Sequence, residues 1–286
     1  MSQHPNICII TVSKAQEKIS LDITGYTWDH SNISACIYPQ SNESWWVPYY
    51  LNATLRAIAQ WNDAIYEFGS KNADFSFLTK ISIVPIISQE EKPGFDIYIS
   101  YVDKCEDETR IGQSMPTIVS PCIITRNKVC LASTAPSGHV MSEVDMQNIV
   151  LHELGHTLGL SHCTNPDDVM YYQVPYLDTV KELSSLDLYA VCTIFEWLSN
   201  SIQPSSAYFC PQDSSITLPS TIHYYYFPIS SQNLPLTHPN NLIDEIVALF
   251  SHLETQIVVL AILILVATVV IIRKEKGNNK FHSNKF

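Results

Sequence analysis

The sequence predicts a single α/β (α+β) domain joined through a polar stretch to one transmembrane helix, on three patterns. Short runs between residues 19 and 133 alternate apolar with polar side chains. The clearest sets Phe95, Ile97, Ile99 and Tyr101 against Asp96, Tyr98 and Ser100, the period of a half-buried strand. Leu51, Leu55, Ile58, Ala59, Trp61, Ile65 and Phe68 recur at helical spacing and form a core-facing stripe. Thr255 to Ile272 is uncharged and overwhelmingly apolar, and as a helix it covers ~27 Å, close to the hydrocarbon thickness of a bilayer.

With 286 residues and 46% hydrophobic side chains, the chain holds one substantial core plus a tail. Lys and Arg number 16 against 28 Asp and Glu, for a formal charge of −12. Nucleic acid is therefore not an expected partner, because neutralising phosphates needs clustered cations. Cys8, Cys36, Cys105, Cys122, Cys130, Cys163, Cys192 and Cys210 lack the paired spacing of a structural zinc module. Two readings stand. Either they form disulfides outside the cytosol, with Cys122–Cys130 across a hairpin and Cys192–Cys210 behind the last helix as pairings, or several are buried free thiols.

The chemistry concentrates in His152-Glu153-Leu154-Gly155-His156-Thr157-Leu158-Gly159-Leu160-Ser161-His162. Positions i and i+4 of a helix share a face, so His152 and His156 can aim two imidazoles at one metal ion, with Glu153 beside them as a base. Gly159 can leave the helix through a conformation other residues avoid and return His162 as third ligand. Three neutral ligands leave a fourth position for water, the mark of a catalytic rather than a structural zinc site. An ordinary amphipathic helix would explain Leu151, Leu154 and Leu158, but not a glycine and a third histidine at these offsets.

This stretch, followed by a methionine at Met170, resembles the metzincin metalloproteases, whose signature is His-Glu-x-x-His-x-x-Gly-x-x-His and a methionine-containing turn. The eight-residue step from His162 to Met170, and the Met170-Tyr171 pair, are most similar to the matrixin branch. The resemblance implies a twisted, mixed five-stranded sheet above an active-site helix, a smaller C-terminal subdomain, one catalytic Zn2+, and protein or peptide substrates. It also implies Met170 as an apolar floor beneath the metal and Tyr171 to Leu177 as the outer pocket wall, with Tyr171, Tyr172, Pro175 and Tyr176 as candidate wall or oxyanion residues. Tyr172 stands where astacins and serralysins carry a tyrosine and matrixins usually a proline. Cys163 resembles archaemetzincins, but Asp168 replaces their next cysteine, so their second zinc site is not expected. Cys8 does not match the latency segment of matrixins. With His139 the only histidine of the middle region, a His-rich structural zinc site is not expected either.

Taken in order, Met1 to Lys18 is an N-terminal segment without the features of a signal peptide. A domain over 19–199 follows. Its expected strands are Ile19–Ile23 and Ile33–Tyr38; then comes a helix over Trp45–Phe68, similar to the first matrixin helix, with Asn52 near its start. Strands are next expected over Phe75–Ile87 and Phe95–Val102, and three shorter ones over Arg110–Thr117, Ile118–Thr125 and Lys128–Ser133, around turns at Pro121 and Arg126-Asn127. Arg110 to Met115, with Gly112, Gln113 and Ser114, is the candidate edge strand for pairing with substrate backbone. Asp103, Glu106, Asp107 and Glu108 lack EF-hand spacing, and structural calcium is not predicted. Ser142 caps a helix over 143–158, with Glu143 and Asp145 in its first turn. Ser184 opens a final helix with Asp187 as its capping-box partner. Asn32, Asn42 and Asn52 begin glycosylation sequons.

Residues 200–254, rich in Ser, Pro and Tyr, are expected to be a linker or stalk, ending in a short amphipathic helix over 242–253. After the span at 255–272, Arg273, Lys274, Lys276, Lys280 and Lys285 place the 273–286 tail in the cytoplasm and the domain outside. The resulting expectation is a membrane-anchored zinc endopeptidase with Glu153 as general base. The rival is a catalytically silent binding or adhesion module on the membrane surface.

Overall fold

The apolar stripe of the first long helix decides the architecture, because it must be covered on both flanks. The computed structural model describes residues 19–229 apart from 108, 120, 174, 175 and 200–209. The segments 1–18, the 242–253 helix, the span at 255–272 and the basic tail lie outside the described residues. Among the described residues no helix is long and apolar enough to cross a membrane.

In chain order, β1 (Leu21–Ile23) and β2 (Asn32–Tyr38) precede α1 (Tyr49–Lys71), a 3-10 helix (Ala73–Lys80), β3 (Ser82–Ile87) and β4 (Ile97–Val102). They are followed by β5 (Gly112–Val119), β6 (Ile123–Ala132), α2 (Glu143–Thr157), β7 (Leu160–Cys163), β8 (Leu183–Ser184), α3 (Ser185–Ile194), β9 (Ser214–Ile216) and β10 (Tyr226–Phe227). The main sheet is mixed and five-stranded, in the order β3-β2-β4-β6-β5. Its first four strands are parallel, and β5 runs antiparallel to β6 at the edge.

Packing of α1 on α2 ties the layers. Trp61, fully buried, donates its indole N–H to Leu151 O at 3.0 Å, and Arg56 Nε donates to Gln147 Oε1 at 2.9 Å. Trp28, Trp61 and Phe68 are each about 1% exposed or less. Burying such a side chain is worth roughly 1.5–3 kcal/mol. Below the sheet, a small three-stranded sheet ordered β7-β1-β9 holds the strand that carries His162, with Leu21 opposite Cys163 and Ile23 opposite Leu160.

Several sequence expectations are corrected. The first helix starts at Tyr49 behind Pro48, not at Trp45; Asn52 lies in its first turn, near the start as expected. Phe75–Ile87 is not one strand: its first half is the 3-10 helix, in which Phe75 stacks on Phe68 at 5.4 Å and Phe77 and Leu78 are buried. The three short strands after Arg110 are two longer ones. Arg126-Asn127 is no turn, because Asn127 is fully buried within β6, its Oδ1 accepting from Ser114 Oγ at 3.0 Å and the Met115 amide at 3.2 Å. Neither proposed cysteine pairing forms: Cys122 bonds Cys210, while Cys130 and Cys192 are free thiols. Finally, the first part of the supposed stalk belongs to the folded unit. β9 pairs with β1 and β10 with β8, where Phe227 is 3% exposed. Strands of two or three residues carry too little periodicity to be seen in sequence.

Candidate metal centre

The N-terminus of α2 is closed by a capping box: the Asp145 amide donates to Ser142 Oγ at 3.1 Å, and the Ser142 amide donates to Asp145 Oδ2 at 3.0 Å. From that start, fifteen helical residues place His152 and His156 on one face. Gly159 adopts φ +95°, and a Cβ there would stand 2.7 Å from Tyr26 O, so only glycine makes the turn into β7. His162 on that strand completes the group.

The three histidines offer ligand atoms that all lie within 4.8 Å of one another. His152 Nδ1 faces Val169 O at 2.9 Å, and His156 Nδ1 faces Leu160 O at 2.9 Å. A carbonyl only accepts, so each neutral ring carries its proton on Nδ1 and keeps the Nε2 lone pair. Those Nε2 atoms face each other at 3.1 Å. Burial pushes His152 down to about 3 and His156 down to about 4, and it lowers His162 as well, so all three are neutral at physiological pH. Glu153 is 5% exposed, and its Oε2 is buried without a hydrogen-bond partner. Burial pushes its carboxyl up to about 8, against the opposing pull of Arg110. Three neutral nitrogen donors around one point, with an orphaned carboxylate oxygen beside them, fit a zinc ion that keeps an open position.

Two glycines let neighbours approach α2. A Cβ on Gly155 would collide with Met170 Sδ and Cε, so the methionine, fully buried, packs directly against the helix. A Cβ on Gly112 would stand 2.5 Å from Glu153 Oε1 and 2.8 Å from Ile149 Cγ2, so β5 passes directly over the carboxylate.

The methionine turn is bolted in place by residues that sequence reasoning missed. Asp168 Oδ1 accepts from the Met170 amide at 2.9 Å, while its Oδ2 accepts from Ser184 Oγ at 2.8 Å and Tyr224 OH at 2.9 Å. Lys181 Nζ donates to Asp168 O at 2.6 Å. Asp187, the capping-box partner of Ser184, is held well above the usual carboxylate range by burial and by the charge of Asp168. Tyr224 lies in the stretch assigned to the stalk, and nothing local marks it as part of the site.

A cleft of about 1010 Å³ runs past the histidines and Glu153. Gly112, Gln113 and Ser114 line it, as do Tyr172 and Tyr176. Tyr172 is 58% exposed. Tyr171 does not line the cleft; it bridges to Cys163, and its ring packs on Tyr172 at 4.5 Å. Pro175 lies outside the described residues. Tyr176 packs on His139 at 4.1 Å, and His139 Nε2 sits 2.9 Å from Asp145 Oδ2.

Residues 27–196 match the family model for Matrixin, a peptidase family. The chain belongs to the matrixin family. No curated protein matches it. Matrixins are zinc metalloproteases, and the histidine group of this matrixin is the donor set such an ion requires. β1, which pairs with β7, β9, which pairs with β1, and β10, which pairs with β8, fall beyond the matched range.

Proposed function

We propose that this matrixin is a membrane-anchored zinc endopeptidase in which His152, His156 and His162 hold the metal and Glu153 is the general base. The observation that carries the reading is the buried, unpartnered Glu153 Oε2 beside three neutral histidines in an open cleft. Zinc bound there supplies a Lewis acid for the scissile carbonyl and lowers the pKa of water to about 7. Glu153 takes the proton of the attacking water and delivers it to the leaving amine, so no covalent intermediate is needed. Gly112 to Ser114, at the free edge of the sheet, present backbone groups to an extended substrate, and Tyr172 and Tyr176 bound its side chains. Met170 fills the space behind the ligands.

Anchoring rests on the uncharged run 255–272 and the five cations after it. An extracellular orientation is supported by the Cys122–Cys210 disulfide, which belongs to an oxidising compartment. Hydrolysis of a quenched peptide library, with and without a chelator, tests the chemistry. Glu153→Gln is expected to bind one zinc per chain and to lose turnover by a factor on the order of a hundred or more. Wild-type turnover in that variant would refute the mechanism, and zinc-loaded wild-type protein without turnover would favour a silent binding module.

A further inference from the structure

Arg110 and Pro136 line both the cleft and a smaller cavity of about 90 Å³, whose other lining residues are Lys104, Cys105 and Thr134. That volume holds a few waters or the end of one side chain. Its charged lining consists of two cations and no carboxylate, a local inversion in a chain of net charge −12. Two acids of the same loop are engaged elsewhere, and a third, Glu106, is exposed and does not line the cavity. Asp103 Oδ1 accepts from the hydroxyls of Ser133 and Thr134, and Asp107 Oδ1 accepts from the amide and hydroxyl of Thr109. Asp107 Oδ2 holds Arg110 Nε at 2.9 Å. That grip orients the guanidinium and leaves its two terminal nitrogens for a carboxylate fork. Lys104 takes part in no ion pair among the described residues.

Arg110 is also close enough to the metal centre for its charge to act on Glu153, His156 and His162. It lies two residues before Gly112, the position over Glu153. A substrate strand added antiparallel to β5 advances toward Arg110 as it runs N to C, at ~3.4 Å per residue. The basic cavity therefore meets the substrate on the C-terminal side of the scissile bond.

We propose that Lys104 and Arg110 form a subsite for a substrate carboxylate located C-terminal to the cut, one to three residues past it. This deepens the peptidase reading above and depends on it. The carboxylate belongs either to an acidic side chain or to the substrate's own C-terminus.

The test uses the full chain and quenched peptides that differ only in carrying Glu, Gln or Lys at each of three positions on either side of the bond. All have amidated C-termini, and a parallel Gln set has free C-termini. The expected result is a kcat/KM for Glu over Gln of about tenfold or more at a C-terminal-side position, with Lys below Gln. Should only the free-terminus set gain, the same subsite reads a chain end. Arg110→Gln should bring the Glu-to-Gln ratio toward one, and Arg110→Glu should invert it in favour of Lys. The Arg110 side chain is 54% exposed, so its replacement is expected to leave the fold intact, which urea unfolding of each variant checks. Charge-blind cleavage, or a preference unchanged in both variants, overturns the subsite while leaving the peptidase reading intact. Absence of any cleavage overturns both.

Discussion

Replacing Gly112 by alanine should uncouple stability from turnover in this matrixin. The added Cβ would stand 2.5 Å from Glu153 Oε1, 2.9 Å from Glu153 Cγ and 2.8 Å from Ile149 Cγ2. Ordinary contact begins near 3.4 Å, so the carboxylate or the strand must give by about 0.9 Å. Two side chains on different turns of α2 are struck at once, and one rotamer change cannot relieve both. Overpacking of this kind costs about 1–3 kcal/mol, offset by about 0.5–1 kcal/mol for removing a glycine from a strand. Net stability should therefore fall by no more than about 2.5 kcal/mol. If Glu153 is the general base proposed above, displacing it by close to an ångström costs far more in rate, about a hundredfold. Urea unfolding, zinc content and kcat on one quenched peptide together read the three quantities. Turnover within twofold of wild type, with zinc and fold intact, would show that the approach of β5 to Glu153 is not what positions the base.

Two further outcomes follow from the same geometry. Cys122→Ser opens a bridge spanning 88 residues and should cost about 2–4 kcal/mol in non-reducing urea unfolding; a loss below ~1 kcal/mol would mean that β9 holds its place without it. In metal-stripped protein, His152 and His156 sit at about 3 and about 4 against an ordinary 6.5, so the unfolded chain binds the extra protons and stability rises with pH up to about 6.5. Glu153, pushed up to about 8, acts in the opposite sense: its contribution is present below about 4.5 and is lost as pH climbs through 8. His30, raised to about 9 by its hydrogen bond to Asp96, adds a fall of the same sign. Stability should peak near pH 6.5, and Glu153→Gln should flatten the decline above it while His30 leaves a residue. An identical decline in both proteins would mean that Glu153 is ionised in the folded chain.

What was legible in the sequence is what one element encodes by itself. The three histidines, Glu153 and Gly159 sit within eleven residues, and both capping boxes span four, so spacing alone placed them. Asn127 misled because a polar pair inside a strand has the composition of a turn, and its reason to be buried lies in β5, across a ladder invisible to local pattern. Phe75 and Phe77 alternate as in a strand, yet Phe75 answers to Phe68 on the preceding helix. Cys122 found Cys210 rather than Cys130 because β6 starts just after Cys122 and runs straight through Cys130, carrying those two apart along one strand. Tyr224 and Lys181 act on Asp168 from 56 and 13 residues away, and no periodicity reports such distances.

The site depends as much on absent side chains as on present ones. α2 carries His152, His156 and Glu153, and glycines on two sides of it set how closely its neighbours come. Gly155 lies between the two histidines in sequence and faces Met170; Gly112 faces Glu153 from β5. The turn below is held by Asp168, Ser184 and Tyr224, and the strand above by pairing to β6. A shift of either support would reach Glu153 or the histidines before it reached the core. Residues 210–229, which secure the turn through Tyr224 and β10 and β1 through β9, therefore belong to the machinery of the centre although they lie beyond the family match. Any protein cut just after α3 would keep every predicted ligand and lose part of what aims them.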